Sequence, residues 1–192
     1  MRRAKTLVEV VTRPEAAEAA YAKLRASMNT SCVGVDCEGT NFGRAMMVQI
    51  ATHSMVIVET PIPGRPLSLP LQRLLMDAKT KKVFFGANAD LAALQCTVNN
   101  VADLQTMCPT ANGNVIGLSA ALTHLDPASR QWSKQSFSAN GWHRLRSGAA
   151  MRAATGFVQY AAADAWGTLL GYSWLTGDSQ QRQPQFRASP VV

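Results

Sequence analysis

The sequence predicts an α/β fold: a mixed sheet flanked by helices on both faces. Three observations carry the prediction. Short runs rich in Val, Ile and Met alternate with stretches of helical period. The first strands read as antiparallel, with "ATHSM" forming a tight hairpin between "AMMVQIAT" (45–52) and "MVIVET" (55–60). Strand–helix alternation follows, which covers both sheet faces.

"TLVEVV" (6–11) is the first strand. "RPEAAEAAYAKLRAS" (13–27) is a helix, with Thr12 as its cap and Pro14 near its first turn. "SCVGVDCEG" (31–39) is the second strand, ended by Gly39, and 45–52 and 55–60 are the third and fourth. "PIPGRP" (61–66) is a loop, and "LSLPLQRLLMDAKT" (67–80) is a short helix with Pro70 in its first turn. "KKVFFGA" (81–87) is a fifth strand, and "NADLAALQCT" (88–97) a helix with Leu91 and Leu94 on one face. "VADLQTM" (101–107) reads as a short strand running into a helix, and "GLSAALTHL" (117–125) as a further helix. Residues 126–148 are polar, basic and rich in turn formers, a long surface loop of the kind that is usually functional. Residues 149–175 form one long helix, bent near Gly156, and 177–192 a flexible tail. No repeat or domain-scale linker interrupts 1–176, so this stretch is expected to be one domain.

The 192 residues are 47% apolar and 16% charged, enough for a sizeable core. No apolar run approaches the roughly 18 residues of a membrane span. The opening "MRRAKTLVEVV" lacks a signal-peptide pattern. The net charge of +7 and pI near 9.6 favour polyanionic partners, chiefly nucleic acid, over the plainer reading of a solubility feature. Cys32, Cys37, Cys96 and Cys108 lack the paired CxxC spacing of a structural zinc site and suit small buried thiols in a reducing, intracellular setting. His53, His124 and His143 are scattered.

Against only 12 acidic residues, two stand in an otherwise apolar strand, in "VGVDCEGT" (33–40). Asp36 and Glu38 are two apart, so on a strand they share a face, about 7 Å apart along the chain. Buried unpaired they repel each other, and a dication removes the penalty. A strand end open to solvent is the alternative. Asp90, in "FFGANADLAAL", opens a helix just after a strand, where ligands gather in such sheets. Taken alone it is a capping carboxylate. In "VQYAAADAWGTLL", Tyr160 and Asp164 are four apart and share a helix face amid alanines, where an acid has no packing reason to be; an exposed helix face is the alternative.

D-x-E on a strand, Asp opening a helix and Y-x-x-x-D on a late helix together resemble the Y subtype of the DEDD superfamily of 3′–5′ exonucleases, similar to RNase D and the Werner-type exonuclease domain. The resemblance runs from about residue 6 to 175. "VGVDCEGTNFGRAMMVQIAT" is most similar to the eukaryotic Egalitarian-type branch. "GANADLAAL" with "VADLQTM" matches the second motif and the Asp-x-Gln strand after it, and "WSKQSFSANGWHRLR" with "QYAAADA" matches the approach to the third. The H subtype would carry histidine where Gln159 stands, whereas Tyr160 fits the Y subtype. The second motif departs from RNase D in opening on Gly86, without its histidine–asparagine pair. The gap from Trp142 to Tyr160 is longer, and no helicase-and-ribonuclease-D C-terminal domain follows.

The resemblance implies a ribonuclease-H-like fold with a mixed five-stranded sheet, and two Mg²⁺ or Mn²⁺ ions. Asp36 would bridge both ions, Glu38 and Asp164 would hold the ion bearing the nucleophilic water, and Asp90 would complete the other site. Tyr160, with a phenol pKa near 10, suits orienting that water better than deprotonating it. Lys134, Arg144 and Arg146 are candidate phosphate contacts. Trp142 or Phe42 could stack on a terminal base, with a packing role the alternative for Trp142. Lys79, Lys81 and Lys82 read as a solvated turn. The expected partner is a single-stranded 3′ end, RNA by branch association, with protein partners in a larger complex and no membrane. An exonuclease-fold RNA-binding or scaffold subunit and a 3′–5′ DNA exonuclease are the competing functions.

Overall fold

In the computed structural model, which describes residues 6–41, 43–108, 116–125 and 155–177, six strands form one sheet. In chain order the elements are β1 (Leu7–Val11), α1 (Pro14–Ala26), β2 (Cys32–Asn41), β3 (Arg44–Ala51), β4 (Met55–Glu59), α2 (Leu69–Met76), β5 (Lys81–Phe84), α3 (Ala87–Leu94), β6 (Val101–Asp103), α4 (Leu104–Met107), α5 (Leu118–Leu125) and α6 (Thr155–Leu175). The sheet order is β1-β4-β3-β2-β5-β6. β3 runs antiparallel to both neighbours, and the other pairings are parallel. The mixed sheet flanked by helices on both faces is thus the architecture the sequence predicts.

The resemblance implied five strands, and the sheet has six. All five residues of β4 are buried. A dry strand with one unpaired edge would strand its N–H and C=O groups, and β1 covers that edge from Leu7↔Met55 to Val11↔Glu59.

Strand alternation divides the core. Val33, Val35, Val48 and Ile50 face one way, against Ala17, Ala20, Tyr21 and Leu24 of α1 and Leu71, Leu74 and Leu75 of α2. Met47, Ala51, Val56 and Val58 face the other way, against Val158, Ala161, Ala162, Ala165 and Trp166 of α6. Val83 of β5 packs with Leu104, Leu118, Leu122 and Tyr172 on this second face. No helix among the described residues is long and apolar enough to cross a membrane.

Several boundaries differ from the sequence reading. Arg13, not Thr12, is the N-cap of α1, and its side chain caps nothing. Pro14 at the first helical position forces the preceding residue into extended backbone, so the boundary falls there. α2 ends at Met76, because Asp77 instead closes a turn, accepting from Lys79 N (3.0 Å) and Thr80 Oγ1 (2.7 Å). β2 runs past Gly39, which takes φ +61°, to Asn41. The lysine cluster is no solvated turn: only Lys79 is exposed. Lys82 is fully buried and donates to the carbonyls of Asp77 and Thr80, both at 2.6 Å, and burial lowers its pKa. Lys81 donates to Tyr172 Oη at 2.9 Å. The predicted loop 126–148, residues 149–154 of the long helix, and the tail from 178 lie outside the described residues.

Candidate active site

β2 places its chemistry by alternation. Val33 and Val35 point into the α1 side of the core, so Gly34, Asp36 and Glu38 face α6. α6 lies unusually close there. A methyl group built on Gly34 would overlap the Ala165 carbonyl oxygen and stand 3.0 Å from Leu169 Cβ. The alanines of α6 supply the other half of that approach. Asp164 precedes Ala165, so the contact that excludes a side chain at position 34 also carries Asp164 to Asp36 and Glu38.

One carboxylate oxygen from each of Asp36, Glu38 and Asp164 lies within 4.8 Å of the other two. Asp36 and Glu38 are half-buried, and Asp164 is 7% exposed. Three like charges so close repel one another, and protons or cations among them relieve that repulsion. The donors are all oxygen, the set that Mg²⁺ and Mn²⁺ prefer. The residues present therefore fit a hard dication. Tyr160 is half-buried one turn before Asp164 on α6 and packs against the α6-side core.

Asp90 stands outside that three-acid group. It sits in the first turn of α3, directly after β5, half-buried. Burial, then the neighbouring charge of Asp103, raises its pKa to about 7. Cys37 links it to the rest: that thiol is pushed up by burial and then by the charges of Asp90, Asp36 and Glu38. Asp90 thus borders the Asp36–Glu38 strand near Cys37, while Asp164 closes on it from the α6 face.

The sequence reading assigned no role to Asp103, which builds the platform for Asp90. Its carboxylate accepts from Gly86 N and Ala87 N, both at 2.9 Å, and from Gln105 N at 3.0 Å. It therefore caps α4 and clamps the entry to α3. Gly86 takes φ +81° at that entry, a conformation that suits glycine. The available signal was an acid ending a strand directly before a short helical run. The β2–β3 hairpin is tied down by Arg44, which donates to Gln95 Oε1 and to the Arg65 carbonyl at 3.0 Å, while Gln95 Nε2 donates to Gly43 O at 3.2 Å. Phe42, Lys134, Trp142, Arg144 and Arg146 lie outside the described residues.

A profile of the 3′–5′ exonuclease family matches residues 8–176. The chain belongs to that family. Its enzyme class is accordingly a metal-dependent hydrolase of phosphodiester bonds. No curated protein sequence matches it significantly. Among solved structures, the domain is similar to the catalytic core of RRP6 from Trypanosoma brucei, at 22% identity and TM-score 0.68, over 88% of this chain and 46% of that one. It is similar to Escherichia coli RNase D, described as an exoribonuclease involved in structured RNA processing, at 17% identity and TM-score 0.64, over 88% and 44%. It is also similar to Brucella melitensis NrnC with bound Mg²⁺, at 17% identity and TM-score 0.56, over 93% and 86%. The exonuclease domain thus spans less than half of the RRP6 and RNase D chains, and most of NrnC. At these identities the structures establish the shared fold. The first and third Y-subtype motifs, on β2 and α6, lie against each other in this exonuclease fold, and the second, on α3, stands outside their three-acid group.

Proposed function

We propose that this domain is a two-metal-ion exonuclease that removes 5′-mononucleotides from the 3′ end of RNA. The grouping of Asp36, Glu38 and Asp164 within 4.8 Å, beside Tyr160, carries the reading. Asp36, Glu38 and Asp164 would hold the ions, with Asp90 completing the set directly or through water. Two bound dications would lower the pKa of a water and neutralise charge on the attacking and leaving oxygens. Tyr160 Oη would donate a hydrogen bond to orient that water, since a phenol is a poor base at neutral pH. The water oxygen bonds to the last phosphorus as the P–O3′ bond breaks. The departing oxygen takes up a proton and becomes the new 3′-hydroxyl. Asp90, with its pKa near 7, must give up its proton before it can ligate.

The basic charge favours nucleic acid of either kind, and RNA is favoured by the similarity to RNase D, an exoribonuclease, and by the Egalitarian-type resemblance of "DCEG". One observation favours a second reading, an RNA-binding scaffold with little activity: Asp90 stands apart from the three grouped acids. Matched 5′-labelled and 3′-labelled RNA and DNA, incubated with Mn²⁺, with Mg²⁺ or with chelator, separate the readings. Metal-dependent shortening of RNA from its 3′ end, absent in Asp36→Ala, is the expected result. Binding without turnover supports the scaffold, and preference for the deoxy strand makes it a DNA exonuclease.

A further inference from the structure

We infer that Gln49 is a positioning residue for the Asp36 carboxylate, an inference that rests on the two-ion reading above. Gln49 lies in the middle of β3 and is 0% exposed. Neither its Oε1 nor its Nε2 has a hydrogen-bond partner among the described residues. A dry, unmet amide is costly and rare in a folded core. The adjacent core positions hold Val48 and Ile50, and an aliphatic side chain at 49 would carry no such cost.

The strand register shows what the amide faces. Gln49 stands directly opposite Asp36 on β2. Directly opposed residues share a sheet face, with Cβ atoms about 4.5–5.5 Å apart. That face is the α6 face, because Met47 and Ala51, two positions to either side, pack there with Ala161, Ala162 and Ala165. On its other edge Gln49 opposes Val58, which is apolar and in the same cluster. The flanking pairs on the Asp36 side are Glu38 with Met47 and Gly34 with Ala51. Asp36 is therefore the polar group that the register sets against a buried, unmet amide.

The choice of residue type fits the task. A carboxylate asked to bridge two ions must hold its oxygens in one orientation, and hydrogen bonds from groups behind metal ligands provide that. A lysine at 49 would compete with the ions, and a glutamate would add another negative charge to three already crowded. A carboxamide donates without charge. Gln49 Nε2 donates to Asp36, directly or across one buried water, when ions fix that carboxylate.

Gln49→Met keeps the length of the side chain and removes both polar atoms. Mn²⁺ binding to the intact chain without nucleic acid, measured by calorimetry, should weaken about tenfold or more. Melting in EDTA should stay level or rise, since two unmet atoms are gone. Unchanged Mn²⁺ affinity with a lower EDTA melting point is the signature of a packing residue and overturns the inference. Wild-type chain that takes up no Mn²⁺ at all overturns the two-ion reading instead. A readout on the wild-type chain guards against a variant that fails to fold. The Gln49 side-chain ¹⁵N–¹H signals should shift in a saturable way with diamagnetic Mg²⁺, and signals that stay still at saturation overturn the inference whatever the variant does.

Discussion

Tyr160 and Asp90 are the two site residues whose contributions can be separated from charge clustering. Tyr160→Phe removes one hydroxyl and no charge. If the phenol orients the attacking water, single-turnover release of mononucleotide should fall about a hundredfold, the lower end for a positioned proton-transfer group. Mn²⁺ affinity and melting temperature should be unchanged, and a loss of metal binding would reassign Tyr160 as part of the ion site. Asp90 makes a pH prediction. Its folded pKa is raised to about 7 from an ordinary 3.8, by burial and then by Asp103. A raised folded pKa means that its stabilising contribution is full below about pH 4 and is lost as pH rises through 7. Metal-free protein should therefore weaken across that window by up to a few kcal/mol, and Asp90→Asn should flatten the loss. Equal slopes for the two proteins in EDTA melts would refute this. The candidate site residues legible in the sequence are those whose partners are local. Spacing of two on a strand and four on a helix fixes a face, so Asp36 with Glu38, and Tyr160 with Asp164, were visible as pairs. Asp103 and Gln49 were not, because their meaning depends on which strand lies alongside.

At the scale of elements, the site depends on how closely α6 approaches β2. Gly34 sets that distance, with the Ala165 carbonyl and Leu169 Cβ occupying the space of a side chain. Gly34→Ala should push α6 outward and cost about 1–3 kcal/mol, as overpacking of a tight core does. Because Asp164 rides on the same turn, Mn²⁺ affinity should fall together with stability in denaturant titrations and calorimetry. Stability lost with metal binding intact would show that Asp164 finds its place independently of the contact. The elements themselves were legible, since β1 to β6 each fall within a few residues of an apolar run in the sequence. Their ends were less so. Pro14 moved the start of α1, and the Asp77 turn, whose carbonyl accepts from buried Lys82, shortened α2. Both effects come from single residues that override a periodic pattern. Strand order was illegible for a different reason: periodicity fixes which face a residue takes, and says nothing about its neighbouring strand.

At the scale of the whole molecule, the three grouped acids join a central strand to the longest of the described helices. Asp36 and Glu38 belong to β2, and Asp164 to α6, which covers the sheet on that side. Without cations their mutual repulsion acts against the same packing that Gly34 and the α6 alanines promote. With cations, the ions cross-link two layers of the fold. A ligand that binds only the folded chain stabilises it by about 2.7 kcal/mol at a hundred times its dissociation constant. For a chain of this length that corresponds to a rise of about 5–10 °C in melting temperature. Mn²⁺ should produce this rise relative to EDTA, and Asp164→Asn should abolish it while melting at or above the wild-type temperature in EDTA, having lost one of the three repelling charges. A wild-type melting point indifferent to Mn²⁺ would mean that the acids do not bind ions in the folded chain. A full Mn²⁺ increment in Asp164→Asn would place the binding elsewhere, and either result would remove the physical basis on which the nuclease reading of this domain stands.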